Sequence, residues 1–90
     1  MWEIYYSKEA KKFLEDCDKG VNEFIILKLM NLLDWLNGNI KLHTDIKSLK
    51  GKWAGYHRIR VGSVRIIIRF DKRNHHIIVH EIGYRGDIYK

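Results

Sequence analysis

The fold of this 90-residue chain is decided by residues 56–70, which read Tyr56-His57-Arg58-Ile59-Arg60-Val61-Gly62-Ser63-Val64-Arg65-Ile66-Ile67-Ile68-Arg69-Phe70. Side chains alternate on both sides of Gly62-Ser63, which predicts two β-strands because successive side chains of a strand point to opposite faces. A two-residue loop that begins with glycine favours a type II′ turn. The sequence therefore predicts an antiparallel hairpin in which Val61 lies opposite Val64.

The predicted register sorts the hairpin side chains into two faces. One face is apolar and is predicted to enter the core; it holds Ile59, Val61, Val64, Ile66, Ile68 and Phe70. The other face is predicted to be exposed; it holds Arg58, Arg60, Arg65, Arg69, Tyr56 and Ile67. Like charges directly opposite each other cost stability, so Arg60 facing Arg65 favours a phosphate-binding surface. The alternative is an arginine-rich face that only keeps the sheet soluble.

The positive charge is concentrated in the second half of the chain. Residues 1–45 hold six Lys and Arg against eight Asp and Glu, a net charge of −2, whereas residues 46–90 hold eleven against three, a net of +8. Such asymmetry favours a nucleic-acid or membrane-surface partner over a merely basic soluble protein. Arginines that share one strand face favour nucleic acid. Lys47, Lys50 and Lys52 are predicted to extend the phosphate-binding surface.

A short strand and two helices are predicted before the hairpin. Residues 3–6 read as a strand, Ser7 as the N-cap of a helix over residues 8–18 with Gly20 as its stop, and residues 21–37 as a second helix that ends at Gly38. The apolar side of the second helix holds Val21, Phe24, Ile25, Leu29, Leu32, Leu33 and Leu36. Further apolar residues widen this side, namely Ile26, Leu27, Met30 and Trp35. Either the helix is well buried, or part of it contacts another protein.

The pattern predicts an α+β fold in one domain that spans residues 1–90. Residues 39–55 read as irregular, and residues 76–84 as a central strand, apolar on both faces near its start. We therefore expect an N-terminal strand and a two-helix antiparallel hairpin packed on a mainly antiparallel sheet of about four strands. The lone Cys17, the absence of a metal-ligand spacing and the absence of a signal peptide or membrane span predict a cytoplasmic protein without a structural metal.

Four segments together resemble the RelE/ParE superfamily of toxins from toxin–antitoxin systems, namely 49–51, 56–62, 64–67 and 82–89. RelE-like members are ribosome-dependent messenger-RNA endonucleases, whereas ParE-like members poison DNA gyrase and lack the nuclease residues. The chain resembles the RelE-like branch. The resemblance implies a type II toxin with the ribosome, messenger RNA and a cognate antitoxin as partners, and with neither metal nor cofactor. A ParE-like gyrase inhibitor and a catalytically silent RNA-binding relative are the alternatives.

The resemblance also implies roles for individual residues. The basic pair of the family falls on Arg58 and Arg60, its third-strand arginine on Arg65, its last-strand arginine on Arg85 and its C-terminal tyrosine on Tyr89. The implied reaction is attack of a ribose 2′-OH on the adjacent phosphate. Arg65 would stabilise the phosphate charge and Arg85 the leaving oxygen, while Tyr89 would either position a base by stacking or act as the general base.

The histidines are predicted to lie outside this catalytic set. His57 shares strand parity with apolar residues and is expected at the edge of the core. His80 shares parity with Ile78 and Ile82 and is expected to be packed or hydrogen-bonded. The others lie in or beside loops and are expected to be solvated; they are His43, His75 and His76.

Overall fold

The hairpin predicted from residues 56–70 lies within a five-stranded mixed sheet. The structure, a computed structural model, describes residues 1–38 and 46–84. Its elements are β1 (Glu3–Tyr6), α1 (Lys8–Asp16), α2 (Lys19–Leu36), β2 (Ile46–Ser48), a 3-10 helix (Gly51–Trp53), β3 (His57–Val61), β4 (Val64–Asp71) and β5 (His76–Tyr84). The α+β fold predicted from the sequence is confirmed.

The strands follow the order β1-β5-β4-β3-β2 across the sheet. β1 pairs with β5 in parallel, and the other pairings are antiparallel. β5 therefore lies inside the sheet, as its two apolar faces predicted. β2 adds a strand in a segment that was predicted to be irregular. Its three residues are too few to show alternation, and they take strand geometry by pairing with β3.

The predicted hairpin register is confirmed across β3 and β4. Val61 pairs with Val64, Arg60 with Arg65, and Ile59 with Ile66. Gly62 has a φ of 61°, the positive value that the first central residue of a type II′ turn requires and that glycine adopts without steric cost. The turn residues named from the sequence thus set the pairing of every side chain in the hairpin.

The two helices cover one face of the sheet, and the core lies between the helices and the sheet. Fully buried core residues come from α1 (Ala10), from α2 (Ile25, Leu29, Leu32) and from the strands (Ile59, Ile66, Ile68, Ile77, Val79). The apolar hairpin face predicted from the sequence therefore is the core face. Within the described ranges, no helix is long and apolar enough to cross a membrane.

Gly20 does not stop α1, contrary to the sequence prediction. α1 ends at Asp16, where the backbone N–H of Cys17 donates to the carbonyl of Phe13, and Cys17 itself is extended, with ψ of 164°. α2 already begins at Lys19, which places Gly20 in its first turn. Two non-helical residues thus separate the helices before the glycine is reached.

Phe24 was predicted to lie on the apolar side of α2, but 62% of its surface is exposed. Leu27, one turn further along, is 53% exposed. The buried stripe of α2 is narrower than the sequence pattern, and runs through Ile25, Leu29 and Leu32. Part of the second helix therefore presents large apolar side chains away from the core.

A β-bulge in β5 changes which side chains face the helices. Ile67 pairs with Glu81 and Ile68 with Val79, so His80 is an extra residue in the ladder. An extra residue shifts strand parity by one. Val79 and Ile82 both enter the core. His80 and Ile82 therefore do not share a face, although their equal parity in the sequence predicted that they would.

The hydroxyl of Ser7 connects the start of α1 to this bulge. It accepts a hydrogen bond from the backbone N–H of Ala10 at 3.0 Å and donates to the carbonyl of His80 at 2.6 Å. We expect Ser7→Ala to lower the free energy of unfolding by about 1–2 kcal/mol, because both the helix cap and the bulge contact are lost. Urea unfolding measures the change, with Ser48→Ala on the exposed end of β2 as a control. Equal midpoints for the two variants would contradict a role for the Ser7 hydroxyl.

Candidate nucleic-acid interface

The sheet face away from the helices collects the arginines of the hairpin. The pairing register of β2 to β5 shows which side chains lie on this face. Tyr56, which precedes β3, is included because its ring contacts that of His80. We call this surface the arginine face and define it by Lys47, Tyr56, Arg58, Arg60, Arg65, Ile67, Arg69, Ile78, His80 and Glu81. The sheet thereby brings cations from three neighbouring strands to one side.

Arg65 is buried, with 6% of its surface exposed, so its predicted exposure is wrong. Its Nη1 donates to the carbonyl of Gly62 at 3.1 Å and to the carbonyl of Val64 at 3.3 Å. These bonds hold the guanidinium against the backbone of the hairpin turn. Within the described ranges, Nε and Nη2 donate to no residue, so part of the donor fork is available to a phosphate.

Other cations lie directly beside Arg65 and beside each other. Arg60 pairs with Arg65 across the hairpin, and Lys47 pairs with Arg58 between β2 and β3. The Nε of Arg58 is buried and has no hydrogen-bond acceptor among the described residues. Like charges held this close repel each other, and a bound polyanion removes that cost.

Three arginines of this face are not neutralised by an acidic side chain among residues 1–38 and 46–84. Arg58, Arg65 and Arg69 form no ion pair with any residue in the described ranges, whereas the ion pairs Lys12–Asp16 and Lys19–Glu23 lie on the helices. Positive charge that is not paired locally attracts anions and speeds their association. The electrostatics of the face therefore suit a phosphate backbone.

The other predicted site residues have different placements. Arg69 is exposed and pairs with Ile78 on the arginine face. Lys50 and Lys52 are also exposed, but they lie just before and within the 3-10 helix, off the paired strands. Arg85 and Tyr89 lie outside the described residues. The structure thus brings together Lys47 and the four hairpin arginines.

Three side chains on or beside this face were missed by the sequence reasoning: Trp53, His80 and Glu81. The rings of Trp53, Tyr56 and His80 contact one another, with centroid distances of 5.1 to 5.8 Å. Glu81 pairs with Ile67 and adds a carboxylate to the face. His80 shares parity with Ile78, which lies on this face, but the bulge turns Glu81 to the same side, and parity counting could not have shown that.

His57 lies at the edge of the core, as predicted. Its ring packs against Phe70 at a centroid distance of 4.9 Å, and its Nδ1 is buried without a hydrogen-bond partner among the described residues. Burial, and to a smaller extent the positive charge of Lys72, lower the pKa of His57 below its usual value. The folded state therefore favours the neutral imidazole.

We expect acid to destabilise the protein through His57. The unfolded histidine titrates near a pKa of about 6.5 and the folded one below it, so the unfolded state binds more protons between these two values. Stability from the neutral ring is present above about pH 6.5 and is lost as the pH falls through the folded pKa. Urea midpoints at neutral and mildly acidic pH measure this loss. His57→Gln should reduce it and His75→Asn should not; equal losses in wild type and His57→Gln would count against the assignment.

No protein-family model and no curated protein sequence matches this chain. Solved structures do match. A chain of the RelB–RelE antitoxin–toxin complex from Methanococcus jannaschii is 28% identical, with a TM-score of 0.72 over 93% of each chain. A chain of the RelBE2 toxin–antitoxin complex from Mycobacterium tuberculosis is 15% identical, with a TM-score of 0.74 over 93% of this chain and 98% of that one.

The isolated RelE toxin of E. coli is similar as well, with 17% identity and a TM-score of 0.73 over 99% of this chain and 92% of that one. These likenesses extend over nearly the whole length of each chain. The protein therefore has the fold of the RelE-like toxin superfamily, and the resemblance drawn from residues 49–89 is confirmed at the level of fold.

Proposed function

We propose that this protein is the toxin of a type II toxin–antitoxin system and that it cleaves messenger RNA on the ribosome, in the cytoplasm. The fold shared with RelE-type toxins supports the toxin role. The observation that carries the nuclease proposal is Arg65, a buried guanidinium anchored to two carbonyls with further cations beside it. Such preorganised donors stabilise charge that develops in a transition state.

The proposed reaction is an internal transesterification of the RNA. The 2′ oxygen forms a bond to phosphorus and the bond from phosphorus to the 5′ oxygen breaks, which leaves a 2′,3′-cyclic phosphate and a 5′-OH. The proton of the 2′-OH passes to a base, and the 5′ oxygen takes a proton as it leaves. DNA lacks the 2′-OH, so the substrate is RNA.

Each cation has a part in this scheme. Arg65 binds the scissile phosphate through the free edge of its guanidinium, since planar donor pairs match phosphate oxygens. Arg58 and Arg60 also act at the reacting phosphate, and Lys47 and Arg69 bind neighbouring phosphates, with Lys50 and Lys52 extending the contact.

Two further roles follow from the family resemblance and concern residues outside the described ranges. Arg85 stabilises the leaving oxygen by its charge, because a guanidinium with a reference pKa above 12 is a reluctant acid. Tyr89 positions a base by stacking or accepts the 2′ proton. A phenol with a reference pKa of about 10 is a weak base at neutral pH, so the reaction depends on alignment of the RNA by the ribosome.

A cognate antitoxin is the second proposed partner. Solved structures with the same fold are antitoxin–toxin complexes, and α2 exposes large apolar side chains that a partner would bury. Phe24 and Val21 line a cleft of about 310 Å³ together with residues 61–64 of the hairpin turn. Exposed apolar surface of this kind is typical of protein contacts.

An in vitro translation reaction tests the nuclease proposal. Purified protein is added with and without ribosomes, and the ends of the messenger RNA are mapped by primer extension. Cleavage that requires ribosomes is the expected result. Intact messenger RNA in both reactions would contradict the proposal, and intact RNA together with trapped gyrase–DNA complexes would identify a gyrase inhibitor instead.

A further inference from the structure

We propose that Trp53, Tyr56 and His80 form a platform on which an RNA base stacks, next to the phosphate-binding arginines. This inference rests on the proposed RNA substrate of the arginine face. It assigns a base-binding role to three side chains that the transesterification scheme does not use.

The three rings form one cluster although they come from different parts of the sheet. Tyr56 precedes β3 and His80 lies on β5, with β4 between them. Neighbouring strands are roughly 4.8 Å apart, so the two backbones are separated by roughly 10 Å. The ring centroids are nevertheless only 5.1 Å apart, and the side chains therefore lean towards each other across β4.

Hydrogen bonds fix the backbone that carries these rings. The carbonyl of His80 accepts a hydrogen bond from Ser7 at 2.6 Å, which fixes the bulge. The N–H of Tyr56 donates to the carbonyl of Trp53 at 3.0 Å, and the carbonyl of Tyr56 accepts from Leu49 at 3.0 Å. A platform that is already ordered loses little conformational entropy when a ligand binds.

Two buried donors, one in the Trp53 ring and one in the Arg58 side chain, point to a ligand. Trp53 Nε1 and Arg58 Nε both lack an acceptor among the described residues. Buried polar groups nearly always have a hydrogen-bond partner, so such exceptions call for an explanation. Carbonyl oxygens and ring nitrogens of a base, or oxygens of its phosphate, would satisfy them.

The surroundings favour RNA over a purely structural cluster. His80 is exposed and Trp53 and Tyr56 are half-buried, so the cluster keeps part of its ring surface open to a ligand. Arg58 follows Tyr56 by two residues and therefore shares its face, where Lys47 pairs with it. Aromatic rings beside a basic groove are how proteins bind unpaired RNA, with bases on the rings and phosphates on the cations.

Binding of a single-stranded RNA decamer tests the platform, with 2′-O-methyl groups to prevent cleavage and fluorescence anisotropy as the readout. We expect His80→Ala to weaken binding roughly 5- to 150-fold, the range for losing one stacked base. His80→Phe keeps an aromatic ring and should bind nearly as wild type does. His75→Asn removes a different exposed histidine and should leave the affinity unchanged. Urea midpoints establish that the variants are folded.

A second arm separates stacking from charge. A decamer with abasic sites should bind wild-type protein more weakly, and His80→Ala should cause no further loss with it. The slope of log binding constant against log salt concentration should stay the same in His80→Ala. Arg69→Ala should reduce this slope by about 1, the value for the loss of one phosphate contact. A loss in His80→Ala that persists with abasic RNA would overturn the assignment.

The remaining outcomes distinguish this inference from the proposed function. Unchanged RNA affinity in His80→Ala, absence of measurable binding by wild-type protein, or a loss of antitoxin affinity alone would each overturn the platform. Binding that depends on His80 without cleavage on ribosomes would contradict the nuclease and support the platform. Cleavage on ribosomes together with RNA binding that does not depend on His80 would support the nuclease and contradict the platform.

Discussion

Replacement of Arg65 by alanine is expected to slow messenger-RNA cleavage about 100- to 1,000-fold, the usual cost of removing one preorganised donor from a charged transition state. The guanidinium is held by the carbonyls of Gly62 and Val64, so its position is set before substrate arrives. Single-turnover cleavage of ribosome-bound message, followed by primer extension, measures the rate.

The same substitution is also expected to lower the free energy of unfolding, by about 1.5–3 kcal/mol, because hydrogen bonds from a charged donor are lost at a buried site. Its effect on the rate must therefore be measured where urea unfolding shows the variant to be folded. Arg65→Lys keeps the positive charge but not the planar fork. We expect it to recover part of the rate, which a purely structural role would not predict.

Arg73 supplies the matched control for Arg65. It is an exposed arginine in the turn between β4 and β5, away from the arginine face. Arg73→Ala removes the same charge from the protein and should leave the cleavage rate unchanged. Cleavage by folded Arg65→Ala at the wild-type rate would remove Arg65 from the mechanism.

The hairpin could be predicted from the sequence because its information is local. Gly62 at the first turn position and strict alternation on both sides fix one register, since a slip of one residue would turn the core residues to the other face. Ser7 and the strand at residues 3–6 carried similar local signals. Each of these predictions depended on neighbouring residues alone.

The bulge at His80 and the boundary near Gly20 could not be predicted in this way. β5 has no clean alternation, since Ile77, Ile78 and Val79 are followed by His80 and Glu81, and its extra residue becomes visible only when the strand is paired with β4. Gly20 looked like a helix stop, but Cys17 leaves the helix earlier, and α2 begins before the glycine. The pairing of β5 with β4 determines the bulge. The turn between α1 and α2 determines where the first helix ends.

The burial of Arg65 and the exposure of Phe24 have a common explanation. Periodicity assigns a side chain to a face, but it does not state how deeply that face is covered. Arg65 lies on the predicted face and is buried there, while Phe24 lies at the margin of an apolar stripe too wide for the sheet beneath it. Arg65 was therefore placed on the correct face with the wrong exposure.

Replacement of Leu29 by alanine is expected to lower the free energy of unfolding by about 2–5 kcal/mol. Leu29 is 0% exposed at the centre of the α2 stripe, and the shorter side chain leaves a cavity that a packed core fills only in part. A chain of this size has a total stability of roughly 5–13 kcal/mol, so the variant loses a large share of it. Urea unfolding monitored by circular dichroism gives the midpoint and the slope.

Leu27→Ala provides the control on the same helix. It removes the same atoms from a side chain that is 53% exposed, where less apolar surface is buried and no cavity forms, so we expect a change of about 1 kcal/mol or less. If the free energy of unfolding falls with urea concentration at the same slope in both variants, their unfolded states are comparable. Equal midpoints would mean that α2 does not pack through Leu29, and the sheet face assigned to the core, together with the arginine face opposite to it, would have to be reassigned.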